Sequence, residues 1–152
     1  MKGIVIFDTS YGNTRTIAET ISETLQESGL EVDTAYVKDI KKMSARDCDF
    51  LVLGSPTRFG TMSFTVKGLL GKVKSKEWMN KPFVAFDTEN PENIERNEGS
   101  AAEKIAETLG KKQMIQLLPV LKAVVLGMKG PLQEGEIERA REYAREVAFK
   151  LK

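Results

Sequence analysis

The sequence predicts an α/β fold: a doubly wound, five-stranded parallel sheet with helices on both faces. Three observations carry this reading. Short β-prone apolar segments alternate with segments of helical periodicity along the chain. Several strand segments, such as residues 4–7, are near-continuous apolar runs, as strands buried on both faces require. Short loops join most of the segments, as right-handed βα units demand.

In chain order, strands are expected at residues 3–7, 32–37, 50–53 and 83–86. The fifth lies within 114–126, where Pro119 leaves open whether it is one strand or two. The first helix carries Ile17, Ala18, Ile21 and Leu25 on one stripe, and Gly29 stands at its C′ position. A turn is expected at 44–47. Residues 62–73 read as a helix through Val66, Leu69, Leu70 and Val73. Ser100 and Glu103 stand at capping-box spacing and open a helix that stops near Gly110. The last helix begins near Glu134 and shows Ile137, Ala140, Tyr143, Ala144, Val147, Ala148 and Leu151 on one face. Residues 87–100 are polar and long for a βα loop, so they read as a functional or a mobile loop. Trp78 is read as packing with its N–H at the surface, and Cys48 as an inert small residue.

Composition narrows the function. A chain of 152 residues suits one domain, with 41% hydrophobic and 30% charged residues. The net charge of +1 gives no broad footprint for nucleic acid. No apolar run approaches the ~20 residues of a membrane span, so no membrane partner is expected. Met1-Lys2 lacks a signal-peptide layout and there is one cysteine, so the expected location is cytoplasmic. The chain has no histidine, which removes His-based triads, His-ligated zinc and ordinary His general-base chemistry. No metal site and no catalytic acid–base residue is expected. Redox or group-transfer work would fall to a bound organic cofactor.

In an open α/β sheet a ligand sits beyond the carboxyl ends of the strands. The first such loop is Thr9-Ser10-Tyr11-Gly12-Asn13-Thr14. A helix starting near Asn13 presents unpaired N–H groups and a partial positive charge to it. Gly12 permits close approach or positive φ, and Thr9, Ser10 and Thr14 add hydroxyls. The loop reads either as a phosphate cradle or as an ordinary N-capped turn. It has neither the lysine of a P-loop nor the three glycines of a dinucleotide fingerprint. The second loop holds Ser55, Pro56, Thr57, Arg58, Phe59 and Gly60. Phe59 is open to two readings, a stacking surface for a flat ring or a core residue at the loop base. Arg58 either places its charge beside a bound group or points to solvent or onto a partner. The third loop begins with Asp87, Thr88, Glu89 and Asn90 and contains no aromatic residue.

The run "TSYGNT" resembles the FMN phosphate loop of the flavodoxin family, with Thr9, Gly12 and Thr14 on its fixed positions and Tyr11 replacing a usual threonine. The run "GSPTRFGTM" resembles the loop flanking the flavin ring, and its "PTRFG" core is similar to WrbA-type NAD(P)H:quinone oxidoreductases. The C-terminal "GMKGPLQEGEIERAREYARE" is similar to flavodoxin domains of archaeal and anaerobe flavoproteins. The resemblance spans almost the whole chain. It implies the flavodoxin-like strand order 2-1-3-4-5 in a single domain over 1–152, with FMN as cofactor. It also implies ring contacts from Thr88, Glu89 and Asn90, and an outer ring face that is open or covered by a neighbouring subunit.

Three functions follow as expectations. The first is an FMN electron carrier serving redox partner proteins. The second is an FMN-dependent NAD(P)H:quinone-type oxidoreductase acting as an oligomer. The third, a non-redox signalling module, would need an aspartate at the end of strand three, where this chain has Gly54-Ser55.

Overall fold

The structure, a computed structural model, describes residues 1–45 and 47–152. It builds β1 (Lys2–Phe7), α1 (Asn13–Glu27), β2 (Glu31–Tyr36), a short 3-10 turn (Val37–Asp39), β3 (Phe50–Pro56), α2 (Phe64–Gly71) and α3 (Ser75–Trp78). There follow β4 (Pro82–Glu89), α4 (Pro91–Arg96), α5 (Ala101–Lys111), β5 (Ile115–Gln116), β6 (Leu121–Val124) and α6 (Glu136–Leu151). The turn expected at 44–47 includes Arg46, which lies outside the described residues.

The strands pair in parallel in the order β2-β1-β3-β4-β5, with β6 also on β4. The interrupted fifth strand takes the two-piece form. β5 pairs with Pro82 and Phe83 at the start of β4, and β6 pairs with Phe86 to Glu89 at its end. Pro119 lies in the gap between them, where a missing N–H removes no ladder bond.

Alternate strand residues feed two apolar layers. Val5, Phe7, Phe50, Val52, Val84 and Phe86 pack against α1 and α6. Ile6, Leu51, Leu53, Phe83 and Ala85 pack against α2 and α5. Helices therefore cover both faces, which explains the unbroken apolar runs. Gly29 ends α1 at φ 92, as its C′ position anticipates.

The structure differs from the sequence reading in four places. β3 runs to Pro56, three residues beyond the expected end at Leu53. β4 runs three residues beyond Phe86, because Asp87 and Thr88 still pair with Ser55 and Pro56 of β3. Residues 87–100 are therefore not one loop: Glu89 closes β4, Asn90 caps α4, and Pro91 occupies its first turn. α2 is shorter than expected, and α3 follows it. Trp78 is fully buried as packing, but its Nε1 is also buried and without a partner, so its N–H is not at the surface.

Two glycines admit phenyl rings from the neighbouring strand. Gly3 stands opposite Phe50, and Gly54 opposite Phe86. A Cβ on Gly54 would come within 2.1 Å of Phe86 Cζ. The rings cover the bare backbone and fill the α1/α6 layer. Gly54→Ala is expected to destabilise the fold by about 1–3 kcal/mol through overpacking. Gly68→Ala in α2, where a Cβ would meet nothing within 4 Å, is expected to stabilise it by about 0.5–1 kcal/mol. Urea denaturation of both variants checks the pair; equal effects would contradict the steric reading.

Candidate functional site

The carboxyl ends of β1, β3, β4 and β6 open on one cavity of about 440 Å³, within the range of small-molecule sites. From the first loop, Thr9, Ser10, Tyr11, Asn13 and Thr14 line it. From the second come Pro56, Thr57, Arg58 and Phe59, and from the end of β4 Thr88, Glu89 and Asn90. Four further residues named from the sequence, Gly12, Ser55, Gly60 and Asp87, do not line it. They shape the backbone around it.

In the first loop, Thr9 Oγ1 accepts from the Gly12 N–H at 2.9 Å, and Asp8 Oδ1 accepts from the Thr9 N–H at 2.8 Å. Gly12, at φ 94, is the N-cap of α1 and makes no side-chain cap. Thr14 is buried, with its hydroxyl 2.8 Å from that of Thr88, which ties α1 to β4.

The start of α1 is electrostatically unlike the other helix starts. α2, α4 and α5 are capped by the side chains of Ser63, Asn90 and Ser100. α3 and α6 lack side-chain caps but carry acidic residues in the first turn. Among the described helices α1 alone has neither. Its partial positive charge and first N–H groups face the cavity uncompensated, an arrangement that favours an anion. The start of α5 is the opposite case: Thr57 Oγ1, Asp87 Oδ2 and Ser100 Oγ accept from the N–H groups of Ala101, Ala102 and Glu103.

The second loop is held by Ser55, whose Oγ accepts from the Ser63 N–H at 3.0 Å. Between these anchors, Arg58 and Thr61 exchange two backbone hydrogen bonds of 3.0 Å. Phe59 (φ 51) and Gly60 (φ 74) form the tip, as in a type I′ turn. Glycine suits that conformation; phenylalanine is strained in it. Phe59 is also 92% exposed. The core reading of Phe59 is thereby excluded: a strained aromatic stands in solvent at the cavity wall. Arg58 is exposed and lines the cavity, so its charge stands at the site while still reaching solvent. Its guanidinium donates to Ser10 Oγ, joining the second loop to the first.

The sequence reading flagged residues 87–100 but named no site residue beyond Asn90, and it named none in the segment after β6. α4 contributes Glu92, Asn93 and Arg96, and the segment after β6 contributes Val125, Gly127 and Met128. The Asn13 side chain donates to the Lys129 carbonyl at 3.2 Å, and the Lys129 ammonium lies 5.9 Å from the Tyr11 ring centroid. The usable signal was Pro119: two half-strands give the second half its own carboxyl end, and therefore its own loop. Cys48 sits at the amino end of β3, away from the cavity, and burial pushes its thiol up, which matches an inert role.

Asp87 is wholly buried. Its Oδ2 accepts from the Ala102 N–H at 2.9 Å, while Oδ1 has no partner. Burial, and then the charge of Glu89, push its carboxyl up to about 7 against the hydrogen bonds of Ala102, Ser100 and Thr57. The folded protein therefore keeps a proton that the unfolded chain has already lost, in the window between the ordinary aspartate value and about 7. Stability falls as pH rises through that window and levels off above it. Asp87→Asn is expected to stabilise the fold near pH 8, by at most on the order of 4 kcal/mol, and by less near pH 5. Urea denaturation at the two pH values measures the difference; a pH-independent effect would overturn it.

Comparison with known proteins agrees with this architecture. A family model described as a flavodoxin domain matches residues 4–113. A flavodoxin of Aquifex aeolicus is 35% identical over 78 residues, covering 51% of this chain and 42% of that protein. The protoporphyrinogen IX dehydrogenase [quinone] of Escherichia coli K12 is 35% identical over 60 residues, 40% of this chain and 33% of that one. The chain thus matches less than half the length of these curated relatives. Among solved structures, an archaeal flavodoxin superposes with TM-score 0.83 at 20% identity, covering 99% of both chains. Flavodoxin 1 of Bacillus cereus does so with TM-score 0.84 at 16% identity, covering both chains fully. Fold, strand order and family match coincide: the chain belongs to the flavodoxin domain family, whose cofactor is FMN.

Proposed function

We propose that this chain is an FMN-binding electron carrier that passes electrons between redox partner proteins. The observation that carries the reading is the pairing of an uncompensated helix start with an exposed, strained aromatic across one cavity. A group with an anionic end and a flat end fits both. Bound FMN supplies one- and two-electron transfer. The N–H groups at the start of α1, with Thr9, Ser10 and Thr14, would hold the phosphate, and Arg58 adds a cation over that loop through Ser10. Phe59 offers a face to the ring, and Thr88, Glu89 and Asn90 offer polar groups at its edge. No histidine is present to serve as an acid or base, and among the described residues no group of metal-ligating side chains is present. Among the described residues no helix is long and apolar enough to cross a membrane. A cytoplasmic location remains part of this reading.

A second reading, an NAD(P)H:quinone-type oxidoreductase, rests on the "PTRFG" loop and on the open wall beside Met128, which is 78% exposed. Steady NAD(P)H oxidation with a quinone, at a rate that excludes adventitious reduction, would favour it. Without such turnover the carrier reading stands.

Titration of apoprotein is expected to show tighter binding of FMN than of riboflavin, since the start of α1 has nothing to hold when the phosphate is missing. Equal affinities would remove the phosphate assignment. Phe59→Ala is expected to weaken FMN binding and alter its visible absorption. Because the side chain is exposed, apoprotein stability should stay within about 0.5 kcal/mol of wild type. A loss near the ~3–5 kcal/mol of a buried phenylalanine truncation would contradict that placement.

A further inference from the structure

Glu89 is the last residue of β4, lines the cavity, and is 2% exposed. A buried carboxylate ordinarily has a cation or several donors. The hydrogen bond to Glu89 comes from a neutral amide: Asn93 Nδ2 donates to Oε2 at 2.8 Å, and also to the Gly99 carbonyl at 3.2 Å. Among the described residues Glu89 makes no ion pair. The nearby cation, Lys122 on β6, is committed to Glu103 Oε1 on α5 at 2.5 Å.

The other charges around Glu89 do not compensate it. Glu103 faces it from α5 with like sign, and Asp87, two residues back on β4, becomes a second like charge only where it ionises, at about 7. On the cavity side, Glu92 and Arg96 of α4 pair with each other at 3.8 Å, and Arg58 of the second loop is bound to Ser10. Burial is the largest influence on the Glu89 carboxyl and raises it above the ordinary value. Asn93 and then Lys122 oppose that shift, and Glu103 adds to it. The little of Glu89 that is exposed belongs to a side chain lining the cavity, so the cavity is the flank on which a ligand would meet it.

We propose that Glu89 is the proton-accepting residue of this site: its carboxylate takes up a proton from solvent as a flavin ring displaces water from the cavity, so that cofactor binding is linked to proton uptake through this side chain. The inference rests on the FMN reading given above. A seated ring removes the remaining solvation of the charged form and leaves the neutral form little affected. The neutral acid also gains an O–H donor, which suits the carbonyl acceptors on a flavin's edge; the carboxylate can only accept.

The sign follows from linkage. Between the midpoint of Glu89 in the free protein and its higher midpoint in the complex, binding takes up as much as one proton. Affinity then falls with rising pH by up to tenfold per unit. The cofactor phosphate acts in the opposite direction: a phosphate monoester loses its second proton near pH 6, and the dianion suits the start of α1 better.

The test is titration calorimetry of FMN into apoprotein across the acid-to-neutral range, in two buffers of different ionisation enthalpy. Wild type, Glu89→Gln and Asp87→Asn are compared with the same ligand, so the phosphate contribution cancels. Wild type and Asp87→Asn are expected to take up more protons per FMN than Glu89→Gln, by as much as one. Equal counts in wild type and Glu89→Gln would overturn the proposal, and loss of uptake in Asp87→Asn alone would move the role to Asp87. As a measurement independent of any variant, carbon-13 NMR of wild type should show the Glu89 carboxyl midpoint rising when FMN is added. An unchanged or lowered midpoint would also overturn it. FMN binding with no proton difference removes this inference alone; no FMN binding at any pH removes the cofactor reading with it.

Discussion

The site depends on the hydrogen bonding of β4 along both edges. β3 pairs with it as far as Thr88, and β6 as far as Glu89. That double pairing carries a polar stretch, Asp87-Thr88-Glu89, into the sheet where a loop would otherwise begin. Backbone groups that would need water in a loop are satisfied by the ladder. The side chains inherit the burial of the strand. A fully buried aspartate and an almost fully buried glutamate follow from this, and so does their raised protonation.

The same strand end organises the neighbouring helices. Asp87 and Thr57 satisfy the first N–H groups of α5 from inside the protein, so that end has no electrostatic demand left for a ligand. Thr88 holds Thr14, and so fixes the start of α1 against the sheet. The start of α1 itself receives no side-chain cap. Two helix starts on one edge of a sheet are thus treated oppositely, one internally satisfied and one left open. The physics of helix ends is common to both. The difference lies in which side chains the register delivers.

Local order around the cavity comes from short polar ties. Asp8 joins the first loop to Thr65 of α2 at 2.8 Å, Ser55 closes the second loop, and Asn13 reaches the carbonyl of Lys129. The paired backbone bonds of Arg58 and Thr61 hold Phe59 in a left-handed turn while its ring is exposed, two local costs at one residue. Strain of that kind persists where surrounding contacts over-determine the backbone. A flat ligand would offset the exposure but not the backbone strain.

Much of the fold was legible in the sequence because apolar runs and caps are local signals. The strands from Gly3, Phe50 and Phe83, the stripe of α1 from Ile17 to Leu25, the Gly29 stop and the Ser100 cap all reside within a few neighbouring residues. Twelve of the residues named for the three loops line the cavity, because the carboxyl ends of parallel strands must share one edge. Pairing decided the rest. The polar end of β4 reads as loop until β3 and β6 are placed beside it, and α4 and the segment after β6 become walls only once that strand is extended. Whether Arg58 meets solvent, a ring or Ser10 depends on how two loops approach one another. Burial of Asp87 and Glu89 is likewise a property of neighbours distant in the chain, since a carboxyl group's charge state is set by what surrounds it in space and not by what precedes it in sequence.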